Sequence, residues 1–222
     1  MADMAPGKIS LKNAQPKWPA SIALIAIGFL HYALPSAFSF GPDWLLLLVI
    51  VLLLVPAILA RKLERYDVSN ILGYCILVLI TAALVTSLSI LIYRLPSHED
   101  QPKVLLRAAA GLWISNILVF ASWYWRLDGG GPHERDLRGV HTDGAFLFPQ
   151  MAMDQQQRQQ TGEACWSPGF VDYLFLAFNT STAFSPTDAP VLSRWAKMLM
   201  MIQASISLAT LAILAARAVN IL

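Results

Sequence analysis

Six side chains with an oxygen to offer fall close together near the end of the chain: Asn179, Thr180, Thr182, Ser185, Thr187 and Asp188. They follow an apolar run, where an oxygen serves one of two ends. It coordinates a cation stripped of water, or it satisfies backbone that breaks away from regular structure. Asp172, earlier in the same stretch, supplies one more carboxylate. A second constellation is Gln203, Ser207, Thr210 and Arg217, whose separations of four, three and seven residues put them on one face of a helix. Polar groups facing lipid are costly, so that face must look into the protein or into water. Packing against other helices is the simpler reading, and lining a pathway the sharper one. No HExxH, Ser-x-x-Lys or paired intramembrane carboxylates accompany these groups, so no enzymatic chemistry is expected, and neither a metal nor a cofactor.

The element that must position the first set runs from Trp166 to Asp188. Ser167 reads as a helix cap and Pro168 as a first helical residue, where its missing N–H is harmless. About 15 mostly apolar residues follow, roughly 22 Å of helix, too short for a hydrocarbon core of about 30 Å. The run turns polar and breaks at Pro186. A segment that enters a bilayer and returns leaves irregular backbone at depth, so it must be covered by protein or line a wet cavity. The expected architecture is an all-α membrane protein with five transmembrane helices and a re-entrant, pore-helix-like hairpin before the last span.

Composition agrees. Of 222 residues, 56% are hydrophobic and 14% charged, and the mean hydropathy is +0.55. The expected spans are Trp18 to Phe38, Trp44 to Ala60, Ile71 to Tyr93, Val104 to Trp125 and Val191 to Val219. Trp18, Trp44, Trp123 and Trp125 stand at span ends, as interfacial aromatics do. Residues 1–17, with three lysines, read as a disordered basic tail. Residues 18–93 form a three-helix transmembrane part. Residues 94–222 form a pore-module-like part made of span 104–125, polar loop 126–168, re-entrant segment 168–188 and span 191–219. Pro35 and Pro56 mark span ends or kinks.

Asn116, in mid-span, reads most simply as an interhelical hydrogen bond. The polar loop is too short and too rich in glycine and glutamine for a domain, although Phe146-Leu147-Phe148-Pro149 can pack a small layer on the surface. Its His133, His141, Asp143 and Asp154 match no metal-ligand spacing and read as solvated. Cys75 and Cys165 read as free thiols. Asp188 stands ahead of the last span, whose start Pro190 marks, as a helix cap or as the acidic mouth of a cation path.

Basic residues flank the spans instead of forming a patch, so nucleic acid is not an expected partner. With a cytoplasmic N-terminus, twelve lie inside (Lys8, Lys12, Lys17, Arg61, Lys62, Arg65, Arg126, Arg135, Arg138, Arg158, Arg194, Lys197). Four lie outside (Arg94, Lys103, Arg107, Arg217). A multi-pass protein of a bacterial inner membrane is the expectation, its partners the lipid bilayer, further copies of itself and a monovalent cation.

The closing third resembles the pore module of the potassium-channel superfamily. The pattern T-T-V-G-Y-G-D falls on Thr182, Ala183, Phe184, Ser185, Pro186, Thr187 and Asp188. The inner-helix ending L-x-A-R-x-V falls on Leu214, Ala216, Arg217 and Val219. Both filter glycines are replaced, by Ser185 and Thr187, and Pro186 fixes its own φ between them, so the carbonyl ladder that selects K⁺ is not expected. The orientation is also opposite to that of potassium channels, an inversion that glutamate-receptor-type channels share.

A second resemblance covers nearly the whole chain. It rests on Trp123-Tyr124-Trp125-x-Leu127-Asp128-x-Gly130-Gly131-Pro132, Phe146-Leu147-Phe148-Pro149-Gln150, Pro168-Gly169-Phe170-x-Asp172-Tyr173-Leu174, Thr182 to Asp188, and Ala216-Arg217-Ala218-Val219-Asn220. These resemble a family of small bacterial integral membrane proteins of no established activity and, distantly, DUF1345-type membrane proteins. Two functions remain open on these residues. One is an oligomeric pore-loop conductance that is not potassium-selective; the other is a non-conducting structural or scaffold protein that binds another membrane complex.

Overall fold

The computed structural model describes residues 16–39, 41–95, 101–138, 141, 144–161, 166–183 and 189–219. Helices α1 (Trp18–Tyr32), α2 (Leu45–Lys62), α3 (Tyr66–Arg94) and α4 (Pro102–Leu127) form a bundle. Three short helices follow: α5 (Pro132–Arg138), α6 (Pro149–Ala152) and α7 (Gln155–Gln160). Then come α8 (Phe170–Thr182) and α9 (Arg194–Val219). The described residues are otherwise joined by turns, with no strand among them beyond a single antiparallel bridge.

Four helices are long and apolar enough to cross a membrane: α2, α3, α4 with its 3₁₀ extension, and α9. Their outward faces are apolar: Leu48, Leu52 and Val55 on α2, Ile71 and Val78 on α3, and Met198, Met201 and Leu208 on α9 are all exposed. The first expected span is shorter than the sequence suggested. α1 ends at Tyr32, and after Pro35 the chain continues as a 3₁₀ turn over Ser36–Phe38. The proline has no N–H to continue the ladder and disfavours helical backbone in the residue before it. Pro56, by contrast, lies inside α2, which runs on past it.

The turn between α2 and α3 explains their close antiparallel pairing. Arg65 N–H donates to Ala60 O and Glu64 N–H to Arg61 O, with Glu64 in the left-handed region at φ 58°. This is a Schellman closure, made here without a glycine. α1 and α2 pack closely at Gly28, where a Cβ would lie 2.7 Å from Leu47 Cδ1. A glycine there lets two backbones approach.

α4 is the central column, packed by α1, α3, α8 and α9. At one end of the bundle, the described residues between 128 and 161 fold into a layer. Glycine and glutamine content argued against a folded domain here, and Phe146-Leu147-Phe148-Pro149 for a small packed layer. Phe146 is fully buried and Phe148 nearly so, among Tyr124, Tyr173, Trp166 and Trp195. Leu147 N–H donates to Pro190 O and Leu192 N–H to Ala145 O, so residues 190–192 belong to this layer. The last helix therefore starts at Arg194 and not at Val191, with Ser193 Oγ accepting from Ala196 N–H as its cap.

Lys17 at the head of α1 pairs with Asp136 of α5 at 2.7 Å. At the opposite end Arg217 donates to Leu95 O and Arg94 to Ala37 O. The described basic residues of the larger set thus share the end that carries the layer, and those of the smaller set share the other.

Candidate functional site

The fold brings α8 against α4 and α9, and its placement starts from a buried carboxylate. Asp128 follows α4 directly and is fully buried. Its Oδ1 accepts from Ala145 N–H at 2.5 Å and its Oδ2 from Tyr173 Oη at 2.6 Å. His141 Nε2 lies 3.4 Å from Oδ2, at ion-pair range but off the line of a hydrogen bond. One acid thereby ties the end of α4, the layer and the first turn of α8 together.

Arg135 completes this clasp. Its Nη1 donates to Trp125 O at 2.9 Å and to Asp128 O, closing carbonyls that the end of α4 leaves open. Its guanidinium lies 5.1 Å from the Tyr173 ring centroid. The chain reaches that position through Gly129, Gly130 and Gly131, at φ 57°, 80° and 96°. Only glycine takes three such angles in succession without strain. A side chain at Gly129 would also meet Arg135 Cγ and His141 Cε1 at 3.1 Å.

α8 starts at Phe170, capped by Asp172 Oδ2 accepting from Gly169 N–H at 2.7 Å. Asp172 thus serves the helix start. α8 then runs parallel to α9. Tyr173 and Trp195 both touch Phe146. One helical stretch on, Gln203 Nε2 donates to Ala177 O at 2.7 Å and Ser181 Oγ at 2.8 Å, and Ser207 Oγ donates to Ser181 O at 2.7 Å. Pro190, ahead of α9, pairs with the layer near the start of α8 through its carbonyl and Leu147 N–H.

Of the expected pore-loop residues, Asn179 is half-buried, and Thr180 is buried with its hydroxyl on Leu176 O. Thr182 donates to Phe178 O at 3.0 Å. Ser185, Thr187 and Asp188 lie outside the described residues, as do Asp143 and Cys165. Asn179 and Asp172 share a cavity of about 140 Å³ with Phe148, Gln150, Phe175 and Ala189, between α8 and the layer.

The polar face of α9 turns inward. Gln203, Ser207 and Thr210 are fully buried. Tyr124 Oη donates to Gln203 Oε1 at 2.6 Å, Asn116 Nδ2 to Gln203 O at 3.1 Å, and Trp113 Nε1 to Ser207 Oγ at 3.0 Å. Thr210 donates to Ile206 O and Ser207 O within its own helix. Arg217 is not part of this cluster; it sits at the far end of α9 on Leu95 O.

Among the loop residues expected to be solvated, His141 is buried against Phe148 and Trp166, and His133 stacks on Tyr66 with centroids 3.6 Å apart. Asp154 caps α7 through Gln157 N–H. Among the described residues no group of His, Cys, Asp and Glu could hold a metal ion. Sequence reasoning missed Asp128, Arg135, Tyr173 and Tyr124 as working residues. Their signal was an acid followed by three glycines, which has no use in a solvated loop.

Comparisons with protein-family models, curated proteins and solved structures found no match.

Proposed function

We propose that this is a multi-pass membrane protein in which α4, α8 and α9 form a pore-loop unit. In this reading α1 crosses as a short fifth span and α8 is re-entrant. Copies assemble around residues 179–188 into a cation conductance without preference for K⁺. The observation that carries the reading is the parallel run of α8 and α9 with the chain back at the layer by Pro190. A short helix so placed aims its C-terminus, about half a negative charge, into the protein interior, which favours a cation there. Among the described residues the polar face of α9 is closed by Tyr124, Asn116, Ala177 and Ser181, which leaves no path along it within one chain. The conducting route then belongs between subunits. The basic end, with the layer, faces the cytoplasm of a bacterial cell.

The same closed face favours a second reading, a non-conducting scaffold for another membrane complex. Ion flux in proteoliposomes, with mass determination of the purified protein, separates the two. A ring of subunits with flux and a reversal potential indifferent to exchange of K⁺ for Na⁺ is expected. A monomer without flux leaves the scaffold reading, and a reversal potential that tracks K⁺ alone refutes the account of Ser185-Pro186-Thr187.

A further inference from the structure

At the end of the bundle that carries the layer, α1 to α4 close around a cavity of about 20 Å³. Its polar lining is Lys17, Ser21, Arg61 and Arg126, with Gly73 and Trp125 beside them. Arg126 is 7% exposed, yet its Nη1 has no hydrogen-bond partner among the described residues. The Tyr74 and Trp125 rings hold its guanidinium at 5.6 and 5.9 Å. Gly73 makes the place for it, since a Cβ there would overlap the guanidinium. Arg61, a like charge, lines the same cavity. The nearby carboxylate, Asp136, is already engaged by Lys17 at 2.7 Å. Three cations, Lys17, Arg61 and Arg126, thus line one small cavity, with a guanidinium edge left open inside.

Burying an unpaired charge beside another of the same sign is costly, and an anion relieves both terms. We propose that this cavity is a phosphate-group site with Arg126 and Arg61 as its donors. Guanidinium groups suit phosphate oxygens through paired N–H bonds. A cavity of this size takes one oxygen. A phosphate therefore enters by a single oxygen onto Arg126 Nη1, and its remainder sits at the mouth beside Arg61 and Lys17. Two sources share that chemistry: the headgroup of an anionic phospholipid, for which helix-end basic pockets are suited, and free inorganic phosphate. The site does not depend on whether the protein conducts ions.

Native mass spectrometry of the full-length protein in detergent, with phosphatidylglycerol against phosphatidylcholine, tests the lipid arm. The thermal shift on adding inorganic phosphate tests the other. The parent is expected to retain phosphatidylglycerol preferentially. Arg61→Gln and Gly73→Ala are each expected to lower that retention about fivefold or more. Lys62→Gln, an exposed neighbour, is expected to leave it unchanged. A phosphate shift in the parent that Arg61→Gln abolishes, without lipid preference, supports the site and assigns it to the free ion. Where Gly73→Ala does not give folded protein, Arg61→Gln alone decides the outcome. Retention and phosphate shift equal in Arg61→Gln and the parent overturn the proposal, as does an equal loss in Lys62→Gln.

Discussion

Replacing Gln203 by leucine tests whether the polar face of α9 is sealed or wet. The side chain makes three hydrogen bonds, to Ala177 O, to Ser181 Oγ and from Tyr124 Oη. All three partners belong to buried residues. Side-chain hydrogen bonds between helices in a membrane average about 0.6 kcal/mol and reach about 1.7. Three lost together amount to roughly 2–5 kcal/mol, with no water at hand to replace them. For a chain of this length each kcal/mol lowers Tm by about 2–4 °C. Gln203→Leu should therefore unfold in detergent at least about 4 °C below the parent. Thermal unfolding followed by near-ultraviolet circular dichroism reads this directly, since Tyr124 and Trp113 sit in the cluster. If instead the face lined a water-filled path, water would take over the freed groups and leucine would add apolar surface. A Tm within a degree of the parent would then refute the sealed face.

The remaining predictions concern the clasp and the orientation. Gly131→Ala places a Cβ at φ 96° and 3.0 Å from Arg126 O. A loss of about 1–3 kcal/mol in denaturant unfolding is expected, against little change for Gly111→Ala, whose Cβ meets nothing within 4 Å. A cysteine at exposed Gln156, in a Cys165→Ser background, should resist a membrane-impermeant reagent in intact cells and react after lysis. Ready labelling from outside would reverse the orientation.

Local pattern alone determined the helices that matter most. Long apolar runs with aromatic ends have no stable place except as helices crossing lipid or packed together, so α2, α3, α4 and α9 were legible as helices, though α3 starts earlier, at Tyr66, and α9 later, at Arg194, than the runs suggested. The spacing of Gln203, Ser207 and Thr210 likewise placed them on one face, because a helix has a single period. Which way that face turns is a matter of its neighbours. Only packing brings Tyr124 from α4 and Ser181 from α8 to Gln203, across sequence separations of 79 and 22 residues. Phe146-Leu147-Phe148-Pro149 suggested a small layer, but what anchors it was hidden for the same reason. Its composition is that of a loop, and its order comes from Asp128, whose partners Ala145 and Tyr173 lie 17 and 45 residues away. A buried carboxylate is costly until all its donors arrive together, and no window of sequence contains them all. Tertiary structure alone therefore decided that an acid and three glycines after α4 hold the short helix α8 in place.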